Sequence, residues 1–533
     1  MRKILAATIA ASVGLLLGAG VIPAAAQAHG NAANGYTPPP IDWGTCTRPS
    51  LAARNAECGF LVVPLDYAKP RGTKIKVAVS RIKHKSSDAQ AQGVMLVNPG
   101  GPGGSGLGLA TLGEAIPNGA GDYYDWIGFD PRGVGSSVPA LTCDAGYTGY
   151  NRPFYVPVTR SLEKTWLAKS KGYAEDCDAA GGALLDHLRT TDTIADMESL
   201  RKALGQSKIN FYGFSYGTYL GQVYATLHPD RVRRFVLDGV VNPERVWYDA
   251  NLDQDIQFDK NMDVYFAWLA KYDSVYHLGT SAKVVKQKYY ATLYSLIKAP
   301  AAGKIGPDEW NDIFVSAGYY VYGWETVGEA FSAWVNDKDP ALLLDLFGEP
   351  GAPGADNGYA VYLGVQCTDV QWPAKWSTWQ RDNWRIHAKY PFITWNNAWF
   401  NAPCLFWGAK AGKPVEVNGK KAPEILMIAE TNDAATPYTG ALEVRKRFPK
   451  SVLIEGVGGT THSGSLSGIA CTDDKIAAYL ATGELPDRVR GNRSDVQCDP
   501  VPQPDPTAVS LLSKSGGAAD DAKAQVREAI TKR

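Results

Sequence analysis

The chain is poor in the features that mark several other classes of protein. Its 533 residues include 54 Lys+Arg and 54 Asp+Glu, so no net charge favours nucleic acid or another polyanion. Beyond the N-terminus, no apolar run reaches the roughly 18 residues that a membrane span needs. No CxxC pair occurs, and the seven histidines are not interleaved with the eight cysteines. We therefore expect no nucleic-acid partner, no stable membrane association, no metal and no cofactor.

The N-terminus has the composition of an export signal. Two basic residues precede an apolar stretch from Ile4 to Ile22, and three consecutive alanines follow it. We predict a cleaved signal peptide at residues 1–28, a possible pro-segment at 29–40, and a secreted, extracellular enzyme. An uncleaved membrane anchor is the alternative, but glycines and a proline interrupt the stretch.

The cysteine count is even, which favours disulfides in an exported chain. The eight residues fall along the sequence as four neighbouring couples. This spacing predicts the following pairs: Cys46–Cys58, Cys143–Cys177, Cys367–Cys404 and Cys471–Cys498.

Short apolar runs alternate with segments of helical periodicity in the first half of the chain. Gly93–Asn98, Asp125–Asp130 and Lys208–Gly213 are typical of buried strands, because each ends in glycine, proline or polar residues. Thr191–Leu204 and Tyr216–Leu227 have helical spacing. This alternation predicts the α/β class, with a mostly parallel central sheet flanked by helices.

The pattern is interrupted once. Residues 41–244 form the first part of the predicted α/β core, and residues 411–500 form the second part. Between them, residues 245–410 are rich in Trp and Tyr and have helical stretches but few strand runs. We predict an inserted, mainly helical cap there, and a flexible C-terminal tail at 501–533, where Pro, Ala, Asp and Lys predominate.

A candidate nucleophile stands in the pattern Gly213-Phe-Ser215-Tyr-Gly217. A predicted strand precedes it and a predicted helix follows it, which is the context of the sharp strand-to-helix turn called the nucleophile elbow. Glycines flank the serine because that turn brings backbones too close for a Cβ atom. The alternative, a solvated Ser/Gly turn, needs neither the strand nor the helix.

A serine nucleophile needs a base and an acid that orients the base. In this fold the chain order is Ser, then Asp or Glu, then His. Only His462 lies in a loop that follows a late predicted strand, Ser451–Gly456. Asp433 lies just beyond the strand before that one, and Glu430 is its rival as the acid. We favour Asp433, because it lies past the strand end on a loop that can reach the histidine.

An oxyanion hole requires two backbone N–H groups aimed at developing negative charge. We expect one from Tyr216, the residue after the nucleophile. The other is expected from the glycine-rich run Asn98–Gly106, either from Gly100 or from Gly101. A phosphate-binding loop is the competing interpretation, but no Lys-Ser/Thr follows the run.

These motifs together resemble a known family. The chain is similar to the prolyl-aminopeptidase branch of the α/β hydrolases, and within it to the secreted tripeptidyl aminopeptidases of actinobacteria. The motifs that carry the likeness are Asn98–Gly106, Asp130–Gly135, Gly213–Gly217, Asp433–Pro437 and His462. The resemblance implies the α/β-hydrolase fold, a cap over the active site and removal of short peptides from free N-termini. Asn98 stands where the better-known prolyl iminopeptidases carry His, a departure that the tripeptidyl branch shares.

An aminopeptidase must hold the substrate ammonium, and a buried carboxylate does this best. Glu325 and Asp369 in the cap are the candidates. The leading hypothesis is a monomeric serine exopeptidase that acts on peptide or protein N-termini and releases tripeptides through an acyl-enzyme. The alternative is a secreted esterase or amidase that uses the same triad on a small molecule.

Overall fold

The computed structural model describes residues 35–508. The predicted signal peptide, the start of the predicted pro-segment and the tail beyond 508 lie outside the described residues. Tyr36, inside the predicted pro-segment, is buried, and its hydroxyl donates to the carbonyl oxygen of Val62 at 3.0 Å. The fold therefore already includes the end of that segment.

Ten strands form one sheet. Their bounds are β1 Gly44–Thr45, β2 Glu57–Pro64, β3 Lys74–Ile82, β4 Val94–Asn98, β5 Asp125–Phe129, β6 Ile209–Phe214, β7 Val232–Asp238, β8 Ile425–Glu430, β9 Val452–Gly456 and β10 Val496–Cys498. The order across the sheet is β1-β2-β3-β5-β4-β6-β7-β8-β9-β10. The first three pairings are antiparallel and all others are parallel. The mostly parallel sheet confirms the predicted fold class.

Fifteen α-helices occur in the described chain. Their bounds are α1 Pro49–Ala52, α2 Arg160–Gly181, α3 Thr190–Ala203, α4 Tyr216–Leu227, α5 Tyr248–Lys271, α6 Asp273–Tyr276, α7 Ala282–Leu296, α8 Pro307–Tyr319, α9 Trp324–Ser332, α10 Ala341–Phe347, α11 Asn357–Asp369, α12 Trp376–His387, α13 Thr394–Asn401, α14 Tyr438–Arg447 and α15 Ala470–Thr482. Within residues 35–508, no helix is both long enough and apolar enough to cross a membrane.

The central strands are buried on both faces. All five residues of β4 and all six of β6 and β8 are buried, as parallel strands covered by helices must be. Parallel strands bring their carboxyl ends to one edge of the sheet. The ends of β4, β6, β7 and β8 carry the glycine-rich run, the candidate nucleophile, Asp238 and the candidate acid, so topology gathers these residues.

Nine helices, α5 to α13, lie between β7 and β8, and we call residues 248–405 the helical insertion. Much of it has a core of its own, in which Trp and Tyr side chains such as Trp268, Tyr289, Trp310 and Trp324 are buried. The aromatic residues that predicted a cap therefore fill its interior.

Four disulfides join the eight cysteines. They are Cys46–Cys58, Cys143–Cys177, Cys367–Cys404 and Cys471–Cys498. The pairs predicted from spacing are thus the pairs that the structure contains.

The chain beyond β10 remains attached to the fold. Val501 is buried, and the carbonyl oxygen of Pro504 accepts a hydrogen bond from the indole of Trp268 at 2.8 Å. Residues 501–504 therefore pack against the fold, whereas the sequence predicts a flexible tail from 501. A segment rich in proline lacks N–H donors, but its carbonyl groups still bind neighbouring helices.

Candidate active site

Ser215 lies on a sharp turn between β6 and α4. Its φ is 54° and its ψ is −125°, a conformation that non-glycine residues rarely adopt. A Cβ atom at Gly213 would lie 2.6 Å from the carbonyl oxygen of Gly217, and one at Gly217 would lie 2.7 Å from that of Asn98. Both flanking glycines are therefore required by close backbone contact. The turn leaves Ser215 partly exposed above the sheet edge.

Asp433 and His462 form a buried pair, with exposed fractions of 0% and 2%. His462 Nδ1 lies 2.8 Å from Asp433 Oδ2 and 3.0 Å from Oδ1. The backbone N–H groups of Ala435 and Thr436 each donate to Oδ1 at 2.9 Å. Since an ionised carboxylate only accepts, His462 Nδ1 carries the proton and Nε2 is left as a base.

The loop that carries His462 meets the nucleophile turn at β7. The backbone N–H of Ser215 donates to the carbonyl oxygen of Asp238 at 2.9 Å. A Cβ atom at the next residue, Gly239, would lie 2.8 Å from His462 Cε1. The imidazole therefore packs directly against the strand end that holds the Ser215 backbone, and the structure brings Ser215, Asp433 and His462 into one cluster.

Asp238 is itself buried beneath this junction. Its Oδ2 accepts the backbone N–H of Ser465 at 2.9 Å, and burial raises the pKa of its carboxyl to about 6. Neighbouring Asp433 also raises this pKa, because two negative charges repel.

The glycine-rich run packs against the nucleophile. A Cβ atom at Gly100 would lie 2.8 Å from Ser215 Cβ and 2.9 Å from the nitrogen of Tyr216. The N–H of Gly100 donates to the side-chain oxygen of Asn98 at 2.9 Å, so it is already engaged. This favours Gly101 over Gly100 as the partner of Tyr216 in an oxyanion hole. Gly100 instead supplies the space that the close approach needs.

Asp130 braces the far end of the same run. Its Oδ1 accepts the Ser105 hydroxyl at 2.6 Å and the Gly106 N–H at 3.0 Å. Arg132 is buried against Asp196, with a 2.7 Å ion pair. Both residues of the Asp-Pro-Arg motif therefore stabilise loops.

The helical insertion covers the acid and base loops through side-chain amides of α5. Gln254 donates to the carbonyl oxygen of Ala435 at 2.7 Å, and Asn261 donates to that of Thr460 at 3.3 Å. At the end of α8, the carbonyl oxygen of Tyr319 accepts the His462 N–H at 2.8 Å. The insertion thus forms a roof in direct contact with the candidate base.

Asp369 and Glu325, the two carboxylates that the sequence suggests for binding the substrate ammonium, lie in different environments in the structure. Asp369 is buried and accepts hydrogen bonds from the Thr190 N–H at 2.7 Å, the Thr190 hydroxyl at 2.6 Å and the Trp247 indole at 3.2 Å. Its carboxylate therefore already accepts three hydrogen bonds within the fold, which argues against the predicted ammonium role. Glu325 lies on α9 and is partly exposed; burial and then the negative charge of Glu325 raise the pKa of Tyr276.

Sequence reasoning missed Asp255, on the buried side of α5. One bond to it is found, from the Asn397 side-chain amide at 2.9 Å. Burial raises the pKa of this carboxyl well above its usual range, and no cation in the described chain offsets that effect. Asn251 and Asn401 lie beside it, joined by a 3.2 Å hydrogen bond. In the sequence, the only signal for Asp255 is that it is an acidic residue on a helix that also carries amide side chains.

The chain matches two family models. Residues 93–290 match the α/β-hydrolase fold, and residues 390–498 match the TAP-like protein family. The chain is 40% identical over 479 residues to a tripeptidyl aminopeptidase of Streptomyces lividans, an alignment that covers 87% of this chain and 88% of the relative. The chain belongs to the tripeptidyl aminopeptidase family of α/β hydrolases. It is a serine hydrolase, and this relationship supports a serine peptidase.

Two other proteins that are similar to this chain, at lower identity, have different names. Serine protease Hip1 of Mycobacterium tuberculosis is 28% identical, over 84% of this chain and 90% of the relative. Carboxylesterase B of the same organism is 30% identical, over 89% of this chain and 96% of the relative. Peptidase and esterase names thus both occur among proteins similar to this chain.

Proposed function

We propose that this protein is a secreted tripeptidyl aminopeptidase that uses Ser215, His462 and Asp433 as a catalytic triad. The observation that carries the proposal is the buried Asp433–His462 pair beside the strained Ser215 turn. The 40% identity to a Streptomyces tripeptidyl aminopeptidase supports the substrate class. Four disulfides and the export-like N-terminal sequence support secretion.

In the proposed reaction, Ser215 Oγ attacks the carbonyl carbon of the third residue while His462 Nε2 takes the hydroxyl proton. The N–H groups of Tyr216 and Gly101 stabilise the oxyanion. His462 then returns the proton to the leaving amine, and the acyl-enzyme forms. Water, deprotonated by the same nitrogen, attacks the acyl carbon and releases the tripeptide, and His462 returns the proton to Ser215 Oγ. Asp433 holds the imidazole in the required tautomer and stabilises its charged form.

We assign the substrate ammonium to Asp255. A buried carboxylate that has no cationic partner is unstable in its charged form. The substrate ammonium would supply the missing partner and form an ion pair with Asp255. The amides of Asn251, Asn397 and Asn401 supply polar surroundings for the peptide backbone near the amine. The distance between this subsite and Ser215 would then fix the number of residues released.

The alternative is an esterase acting on a small molecule with the same triad, which the similarity to carboxylesterase B favours. The fold supports both chemistries, so the substrate decides between them. A peptidase of this kind requires a free α-amine, whereas a simple ester offers none.

The first experiment compares release of a chromogenic amine from Ala-Pro-Ala-type tripeptide, dipeptide and single-residue substrates, each with free and acetylated N-termini. We expect turnover of the free tripeptide alone, and loss of that turnover in Ser215→Ala. Rapid cleavage of an acyl ester without peptide release would refute the peptidase and retain the triad.

The second experiment tests the ammonium subsite. Asp255→Asn should lower kcat/KM for the free tripeptide by roughly 10- to 100-fold, the loss expected for a charged hydrogen bond, while ester turnover is unchanged. Asp259→Asn is the matched control, one helical turn further along α5. Its carboxylate already binds Lys286 at 3.4 Å and the Phe392 N–H at 3.0 Å. Equal losses in both variants would refute the assignment to Asp255.

A further inference from the structure

The segment after β10, residues 499–504, is a C-terminal strap between the sheet and the helical insertion. Just before the strap, Cys498 forms a disulfide with Cys471, and the carbonyl oxygen of Cys498 accepts the Val457 N–H at 3.0 Å. At its end, Pro504 binds Trp268 of α5. Between them, the Val501 side chain is buried in the core of the insertion. The strap therefore links the sheet edge to the roof.

Glu430, the last residue of β8, joins this strap to the loop that carries His462. Its Oε1 accepts the Val501 N–H at 2.7 Å, and its Oε2 accepts the Thr461 N–H at 2.6 Å. The carboxyl is buried, so water does not compete for these bonds. Thr461 directly precedes His462, so the carboxyl fixes the backbone next to the candidate base.

The composition of the histidine loop follows from this carboxyl. A Cβ atom at Gly459 would lie 2.3 Å from Glu430 Oε2, and one at Gly464 would lie 3.0 Å from Oε1. Glycines on both sides of His462 therefore allow the loop to wrap around Glu430. On the opposite side, the His462 N–H is held by Tyr319 of the insertion.

We propose that Glu430 and the strap form a positioning device for His462, in which the carboxyl joins the histidine loop to the chain segment that holds the roof. Glu430 touches no substrate and acts through His462, so this proposal rests on His462 being the general base. The position of the imidazole then depends on the strap as well as on Asp433.

Three charged or titratable groups face Glu430 from neighbouring elements. Asp433 follows β8, Asp238 ends β7, and His462 lies on the loop itself. The two aspartates act on the Glu430 carboxyl as like charges, so they couple its charge to the triad cluster. A change at Glu430 should therefore alter the pH profile of the reaction and not only the amount of folded enzyme.

A matched pair of strap variants tests the hydrogen bond. Val501→Pro removes the N–H donor and keeps the apolar volume, whereas Val501→Ala keeps the donor and loses volume. Proline neighbours on both sides already favour the extended backbone that a proline accepts. We expect Val501→Pro to lower kcat roughly 10-fold or more without changing KM, because small displacements of catalytic groups are costly. Val501→Ala should keep the wild-type kcat.

Two further variants complete the test. Glu430→Gln keeps the shape but offers one acceptor oxygen instead of two. It should lower kcat and alter the alkaline part of the kcat/KM profile, where the wild-type carboxyl, with a pKa of about 8, loses its proton. A chain ending at Asp499 should show the same kcat loss, whereas a chain ending at Ala508 should match the wild type. Folding of each variant is checked by circular dichroism.

The outcomes separate this inference from the proposed function. The positioning role alone would be overturned if folded Glu430→Gln and Val501→Pro kept the wild-type kcat and pH profile. In that outcome, Ser215→Ala and His462→Ala would still be inactive. Activity retained in Ser215→Ala would overturn the triad itself. Equal losses in Val501→Ala and Val501→Pro would show that packing, rather than the N–H bond, matters.

Discussion

The Thr436 hydroxyl donates to Asp433 Oδ2 at 2.8 Å, and this is the oxygen that lies 2.8 Å from His462 Nδ1. The same hydroxyl oxygen lies 3.3 Å from His462 Nδ1. The Thr436 hydroxyl and His462 Nδ1 therefore bind the same carboxylate oxygen, and Thr436 fixes the orientation of the Asp433 carboxylate.

Loss of that hydroxyl should impair catalysis without unfolding the protein. Thr436→Val keeps the side-chain shape but leaves Oδ2 with one donor fewer, so we expect kcat/KM to fall roughly 10-fold, the value of one hydrogen bond to a charged group. Thr436→Ser retains the hydroxyl and should recover most of the activity. Steady-state kinetics with the free tripeptide measures both, and equal loss in the two variants would contradict the role of the hydroxyl.

Gly100→Ala should strongly lower turnover. The new Cβ would lie 2.5 Å from the carbonyl oxygen of Phe214, at a backbone φ of +94° that side chains disfavour. The glycine-rich run would have to move away from Tyr216, and we expect kcat to fall by roughly 100-fold or more, the loss seen when an oxyanion donor is removed. Gly172→Ala in α2 is the control, since a Cβ there meets no atom within 4 Å. Wild-type kcat in Gly100→Ala would show that the run adapts.

Asp369→Asn separates a bracing role from substrate binding. An amide nitrogen in place of Oδ2 cannot accept from the Thr190 hydroxyl or the Trp247 indole, so we expect a loss of about 1–3 kcal/mol in the free energy of unfolding. The ratio of turnover between free and acetylated tripeptides should stay at the wild-type value. Urea denaturation and paired kinetics check the two statements, and a changed ratio would return Asp369 to the ammonium subsite.

Glu430→Gln should change how stability depends on pH. Burial raises the pKa of Glu430 from 4.5 to about 8, so the folded chain binds a proton that the unfolded chain has lost between these values. The contribution of Glu430 to stability is therefore present below about pH 4.5 and is lost as pH rises to about 8, by up to about 1.4 kcal/mol per pH unit.

The glutamine variant does not titrate, so its stability relative to the wild type should improve as pH rises through this window. Urea denaturation of both proteins at several pH values measures the difference. A difference that is constant with pH would mean that Glu430 titrates at its ordinary pKa in the fold.

The nucleophile could be predicted from local sequence, because Gly213 and Gly217 flank Ser215 between a predicted strand and a predicted helix. Gly213 is required by a contact within the turn, whereas Gly217 is required by the approach of Asn98. The chain order of Ser215, Asp433 and His462 follows from strand order, and strands are readable from short apolar runs. The disulfide pairs were readable because each joins cysteines that are neighbours along the chain.

The remaining features depend on contacts that cross the sequence. Asp369 looked available because the Thr190 and Trp247 groups that occupy it are 179 and 122 positions away. Asp255 and Asn397 meet only when α5 packs against α13, which helical periodicity does not predict. The choice of Gly101 over Gly100 needed the Asn98 hydrogen bond, and the role of Val501 needed the path of the chain after β10.

Each of the four disulfides joins two cysteines that lie on the same side of the boundary between the sheet and the helical insertion. Cys367–Cys404 lies within the insertion, and the other three lie outside it. Within residues 35–508, no disulfide therefore joins the helical insertion to the sheet beneath it. The position of the insertion over Ser215 is therefore an equilibrium quantity, governed by exchangeable hydrogen bonds such as those of Gln254, Tyr319 and Trp268. It should respond to temperature, denaturant and bound peptide while all four disulfides stay intact.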